Sequence, residues 1–139
     1  MLRLTVLGAF VLAFVVACGG EKDKEQAAAA KPCGPFVGMM EGKPKLLPKD
    51  FPTPTGVTYT SEKTAGPSKI VNGYVKRDVG AAFESYKHAL DGNGYTVTKD
   101  EHEDFDAEVN FSGGKSTGQV KLVQECRDRT TITITARPA

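Results

Sequence analysis

Asp78-Val79-Gly80-Ala81-Ala82-Phe83-Glu84-Ser85-Tyr86-Lys87-His88-Ala89-Leu90-Asp91 is the stretch whose reading decides the fold. Val79, Ala82, Phe83, Tyr86, Ala89 and Leu90 recur at steps of three and four, which places them on one stripe of a helix. Asp78 can cap the first free amides, and Gly92 and Gly94 stop the helix. Glu84, Lys87 and His88 fall on the flanks or the outer face. A single amphipathic helix cannot bury its own stripe, so the rest of the chain must supply a sheet.

Downstream the period changes from 3.6 to 2. Tyr95 and Val97 alternate with Thr96 and Thr98, predicting a strand over 94–99. Phe105, Ala107, Val109 and Phe111 alternate with Asp106, Glu108 and Asn110, predicting a half-buried strand. A polar, Gly-rich turn is expected over 112–118, then a strand with Val120, Leu122 and Cys126 on one face. The chain turns over 125–129, and Ile132, Ile134 and Ala136 alternate with threonines in a last strand. Upstream, Val57 to Glu62 and Lys69 to Lys76 read as two strands around the Ala65-Gly66-Pro67 turn, with Asn72-Gly73 a turn or bulge inside the second. The order β-β-α-β-β-β-β, at short spacing, predicts an α+β fold: an antiparallel sheet of about five to six strands with one helix on one face.

Residues 57–139 form that domain. Residues 33–56 are rich in proline, at positions 44, 48, 52 and 54, which forbids a long helix or a central strand. They read as an extended arm lying on the domain, with Phe36, Met39, Met40, Leu46, Leu47 and Phe51 as packing residues. The segment from Asp50 to Pro138 resembles small exported bacterial domains without an assigned function. The likeness rests on Phe51-Pro52-x-Pro54-x-Gly56 before the strands and Leu90-x-x-x-Gly94-Tyr95-x-Val97 after the helix. It implies a fold and no activity.

The first residues carry an address. Arg3 is followed by an apolar run from Leu4 to Val16, too short for the roughly 20 residues that a membrane-spanning helix needs. A basic start, a short apolar middle and a small-residue end describe a secretory signal. Its close, Val15-Val16-Ala17-Cys18, resembles the lipobox of bacterial lipoproteins. The resemblance implies cleavage after residue 17, a diacylglyceryl group on the Cys18 thiol and an acylated new amino terminus (a palmitate-type modification). Such chains would hold the protein on a membrane at about 0.8 kcal/mol per buried methylene. Gly19 stands where many inner-membrane lipoproteins carry aspartate, which leans towards the outer membrane where there is one. Residues 18–32 would then be a small, charged tether.

Losing Arg3 with the signal takes the 18 basic residues down to 17, equal to the 17 acidic ones, so no charge excess points to nucleic acid. With Cys18 assigned to lipid, Cys33 and Cys126 remain as an even pair in an exported chain, where pairs are oxidised. Neither lies in Cys-x-x-Cys, and a structural disulfide is expected.

Asp100-Glu101-His102-Glu103-Asp104 is the densest group of chemistry-bearing residues. Asp100, His102 and Asp104 are weak candidates for a cation, or for acid–base work. The run lacks EF-hand spacing and a second histidine, and a solvated loop between strands is the expectation. Gly113-Gly114-Lys115-Ser116 echoes a phosphate loop, but its leading glycine position is Val109 and a strand follows. No nucleophile with a neighbouring base stands out, so no catalytic residues and no cofactor are assigned. The expected function is a non-enzymatic binding or structural module of the cell envelope, held on the membrane through Cys18, with an envelope protein or glycan as partner. The alternatives are an envelope hydrolase or metal-dependent enzyme using His102 and its carboxylates, and an inhibitor presenting the 112–118 loop to an extracellular hydrolase.

Overall fold

The computed structural model describes residues 31–139 apart from Val37, together with Lys24, Gln26, Ala27 and Ala29. The signal, Cys18 and most of the tether lie outside the described residues.

Among the described residues from 57 onward, six strands and one helix follow in the expected order: β1 (Val57–Ala65), β2 (Ser68–Val75), α1 (Val79–Gly92), β3 (Thr96–His102), β4 (Asp106–Gly113), β5 (Ser116–Cys126) and β6 (Arg129–Pro138). They form an α+β fold with one antiparallel sheet in the order β1-β2-β6-β5-β4-β3. The chain builds the β1–β2 hairpin, crosses with the helix to the far edge, and meanders back so that β6 closes against β2. One face of the sheet is apolar because every second residue is: Val71, Val109, Phe111, Val120, Leu122, Ile132 and Ile134 are fully buried on it.

The helix lies over β3, β4, β5 and β6. Its stripe is buried at Val79, Ala82, Phe83, Tyr86 and Leu90. Asp78 Oδ1 accepts from the Ala81 amide at 2.9 Å, satisfying one of the free donors of the first turn. At the other end Gly94 takes a left-handed φ of 78°, and the Tyr95 amide donates back to the Leu90 carbonyl at 3.1 Å.

The hairpins are tighter and the strands longer than the sequence pattern suggests. The polar stretch 112–118 is mostly strand; only Gly114 and Lys115 turn, both left-handed at φ 56° and 64°, as a two-residue hairpin with the sheet's own twist demands. Likewise Arg127 and Asp128 alone join β5 to β6, and β1 runs on to Ala65. Asn72-Gly73 neither turns nor bulges. The bulge lies opposite, between Tyr59 and Ser61, and a side chain at Gly73 would collide with the Thr58 carbonyl at 2.6 Å. Asp100 to His102 belong to β3 rather than to a loop. Polar composition misled because these residues sit on the open face or at the sheet edge, where charge blunts edge-to-edge association.

The arm has no regular secondary structure between Cys33 and Gly56 among the described residues. It buries Leu47 and Phe51 in the core, with Met40 and Leu46 packed against it. Phe51 packs on Tyr95 at 5.5 Å and on Phe111 at 5.3 Å between ring centroids, and Tyr95 meets Phe111 edge-on at 5.7 Å. This three-ring cluster gives a physical reason for pairing a Phe-Pro lead-in with a Gly-Tyr after the helix. Each fixes one wall of the same corner.

Candidate functional site

The acidic edge of the sheet, conspicuous in the sequence, lies against the helix. Asp100 pairs with Lys87 of the helix at 2.5 Å, and the Lys87 ammonium also stands 4.9 Å over the Phe83 ring. The Lys87 pKa is raised, chiefly by its hydrogen bond to Asp100. His102 stacks on the same Phe83 ring, 5.1 Å between centroids. Asp104 lies exposed in the β3–β4 turn. Asp100 and His102 are thus engaged by the helix, and no group of three or more His, Cys, Asp or Glu among the described residues is placed to hold a metal ion. The stretch that an inhibitor would need as an inserting loop is the two-residue turn at Gly114-Lys115.

A second cluster surrounds the disulfide. Cys33 and Cys126 are bonded, their Cα atoms 5.2 Å apart across a sequence separation of 93. Around them Arg129 donates twice to Glu125, at 2.7 and 3.0 Å, and once to the Gly34 carbonyl at 3.0 Å. Its guanidinium also lies 5.0 Å from the Phe36 ring, which stacks on Tyr74. Gln124 is buried; its side-chain oxygen accepts from the Val79 amide at 2.7 Å, and its nitrogen donates to the Cys126 carbonyl at 2.5 Å. A buried amide that serves both the helix start and the hairpin turn is structural glue. Sequence reading passed over Gln124, although its place between Leu122 and Cys126 on the inner face was the signal.

The third feature was not foreseen. Between the arm and β1 lies a cavity of about 300 Å³. Leu47, Phe51 and Tyr59 form its apolar interior, Pro44 and Pro48 shape its walls, and Lys43, Lys45 and Lys49 stand at its rim. Its position follows from the local sequence. Prolines 44, 48, 52 and 54 donate no amide and hold the arm in an open course. The arm is secured at a few points instead: the Met40 amide donates to the Tyr59 carbonyl at 2.8 Å, and the Leu46 amide to a Glu62 carboxylate oxygen at 2.8 Å. The Leu47 and Phe51 side chains are buried, and Lys43, Lys45 and Lys49 around them are exposed.

In the cavity wall the buried Tyr59 and the exposed Thr53 are joined through their hydroxyls, 3.0 Å apart. Behind Tyr59 lies Tyr86 of the helix, wholly buried, whose hydroxyl interacts with that of Tyr59 yet makes no hydrogen bond of normal geometry. Burial above all, with the Tyr59 hydroxyl second, raises the Tyr86 pKa well above its ordinary 10.0. Burial raises Tyr59 as well, against the opposing hydrogen bonds from Thr53 and Tyr86. Both phenols stay neutral at physiological pH. An apolar interior with a few polar groups in its wall is the usual make-up of a small-molecule site, and the volume is at the lower end of the roughly 300–1,000 Å³ typical of such sites. The signal in the sequence was Lys43-Pro44-Lys45-Leu46-Leu47-Pro48-Lys49, in which charge and apolar residues alternate inside a proline-rich frame.

No family model matches the chain, and neither curated proteins nor solved structures include a match to it.

Proposed function

We propose that the chain is a lipid-anchored bacterial envelope lipoprotein whose domain works as a non-enzymatic binding module. The observation that carries the binding reading is the cavity between arm and sheet, apolar within and cationic at its mouth. Support for the anchor comes from Val15-Val16-Ala17-Cys18 and the basic, apolar start before it. The Cys33–Cys126 bridge suits an oxidising compartment outside the cytoplasm. Among the described residues no helix is long and apolar enough to cross a membrane.

The intact mass of protein extracted from membranes, with thiols labelled before and after reduction, tests this reading. A chain starting at acylated Cys18, with two thiols that label only after reduction, supports it. A retained Met1 with freely labelling thiols overturns both anchor and compartment.

A further inference from the structure

We infer that the lysine-rimmed cavity binds a free carboxylate amphiphile, a single short alkyl chain ending in a carboxylate, as in a medium-chain fatty acid. This deepens the binding-module reading above and rests on it. Charge complementarity selects the anion. Lys43, Lys45 and Lys49 are exposed at the rim, none of them forms an ion pair among the described residues, and the three are gathered at one apolar opening. No Asp or Glu lines the cavity beside these three lysines. Glu62 is turned to the Leu46 amide and Asp50 to the Tyr95 hydroxyl, and Glu41 lies exposed two residues before Lys43.

Shape and polarity select the tail. Leu47, Phe51 and the Tyr59 ring make an apolar interior, so a ligand that is charged throughout would lose hydration there without compensation. A volume of about 300 Å³ suits one short chain and is small for a two-chain phospholipid. The carboxylate sits among the ammonium groups at the mouth while the chain displaces water from the interior.

The experiment uses membranes carrying the full chain and decanoic acid bearing a photoreactive diazirine. Expected is a saturable adduct mapping to the 43–59 segment, competed by unlabelled decanoate. The diazirine analogue of decanol should label about tenfold less, the loss expected of one or more charge-assisted contacts. The triple variant Lys43→Gln, Lys45→Gln, Lys49→Gln should lower decanoate labelling by a similar factor with the disulfide intact. If that variant misfolds, the decanol comparison on the unaltered chain still decides. Equal labelling by decanol, adducts spread over the surface, or capture only of photoreactive phosphatidylglycerol in vesicles would each overturn the proposal. Such a failure beside a normal acylated mass at Cys18 removes the ligand assignment and leaves the anchored binding module standing. An unprocessed chain with free thiols removes the anchor instead.

Discussion

The two halves of the sheet are covered in different ways. Over β3 to β6 lies a helix, whose backbone amides are satisfied within the element and whose periodic stripe can approach the sheet along its whole length. Leu90 on its stripe and Val109, Val120 and Ile134 on the strands beneath are fully buried. Over β1 lies the arm, whose prolines forbid such self-satisfaction. Its backbone needs outside partners, such as Glu62 and the Tyr59 carbonyl, and these hold it at separated points. A cover fastened at points leaves space between them, and the cavity is that space. The helix half is built for packing, and the arm half for access.

Breaking the arm's covalent fastening should have the largest effect. Cys33→Ser with Cys126→Ser, or reduction, should cost about 4–5 kcal/mol by the chain-entropy relation for a loop of this length. Urea unfolding with and without reductant measures it. Hydrogen exchange should show protection lost first around Met40 and Leu46 and last in the helix.

Core truncations compare the halves directly. Leu90→Ala should cost about 3–5 kcal/mol, towards the top of the usual range, because closely packed neighbours leave a true void. Leu47→Ala should cost about 2 kcal/mol, since the space it vacates merges with a cavity already open to water. Equal losses at the two positions would erase the distinction between the halves. Asp78→Ala should cost about 1 kcal/mol through the lost helix cap, read as a shift in the urea midpoint.

Tyr86 stands where the halves meet and gives the smallest effect at neutral pH. Its hydroxyl meets only that of Tyr59, without a hydrogen bond of normal geometry, so Tyr86→Phe should change stability by less than about 1 kcal/mol. The alkaline limb is more telling. A pKa raised in the folded state means that the unfolded chain releases the proton first. Stability is therefore unaffected by this group below pH 10.0 and falls as pH rises from there towards the folded-state value. Tyrosinate absorbance should show Tyr86 ionising together with unfolding, and the variant should lose that component.

Much of this architecture was legible in the residues because it depends on local period. The stripe from Val79 to Leu90, the cap at Asp78 and the alternation from Ala107 to Phe111 each read correctly on their own. The errors came where polar composition stood in for conformation. Ser112 and Thr117 are strand residues whose side chains happen to lie away from the core, and His102 is polar yet stacked on an aromatic ring. The acidic run drew attention because charge is conspicuous in a sequence. The cavity did not, because concavity is a relation between Lys43–Tyr59 segments that no periodicity records.

The sequence by itself determined the element order and the faces that β4, β5 and β6 bury, since these follow from side-chain period and capping chemistry; the pairing of Cys33 with Cys126 was expected from it only with Cys18 set aside for lipid. Only the tertiary structure decided that β6 returns between β2 and β5, that the helix takes four strands and leaves β1 to the arm, and that Gln124 joins the helix start to a distant turn. It also decided that three lysines of the arm face one opening. Those outcomes depend on which surfaces meet across long separations, and a surface exists only once the chain has closed upon itself.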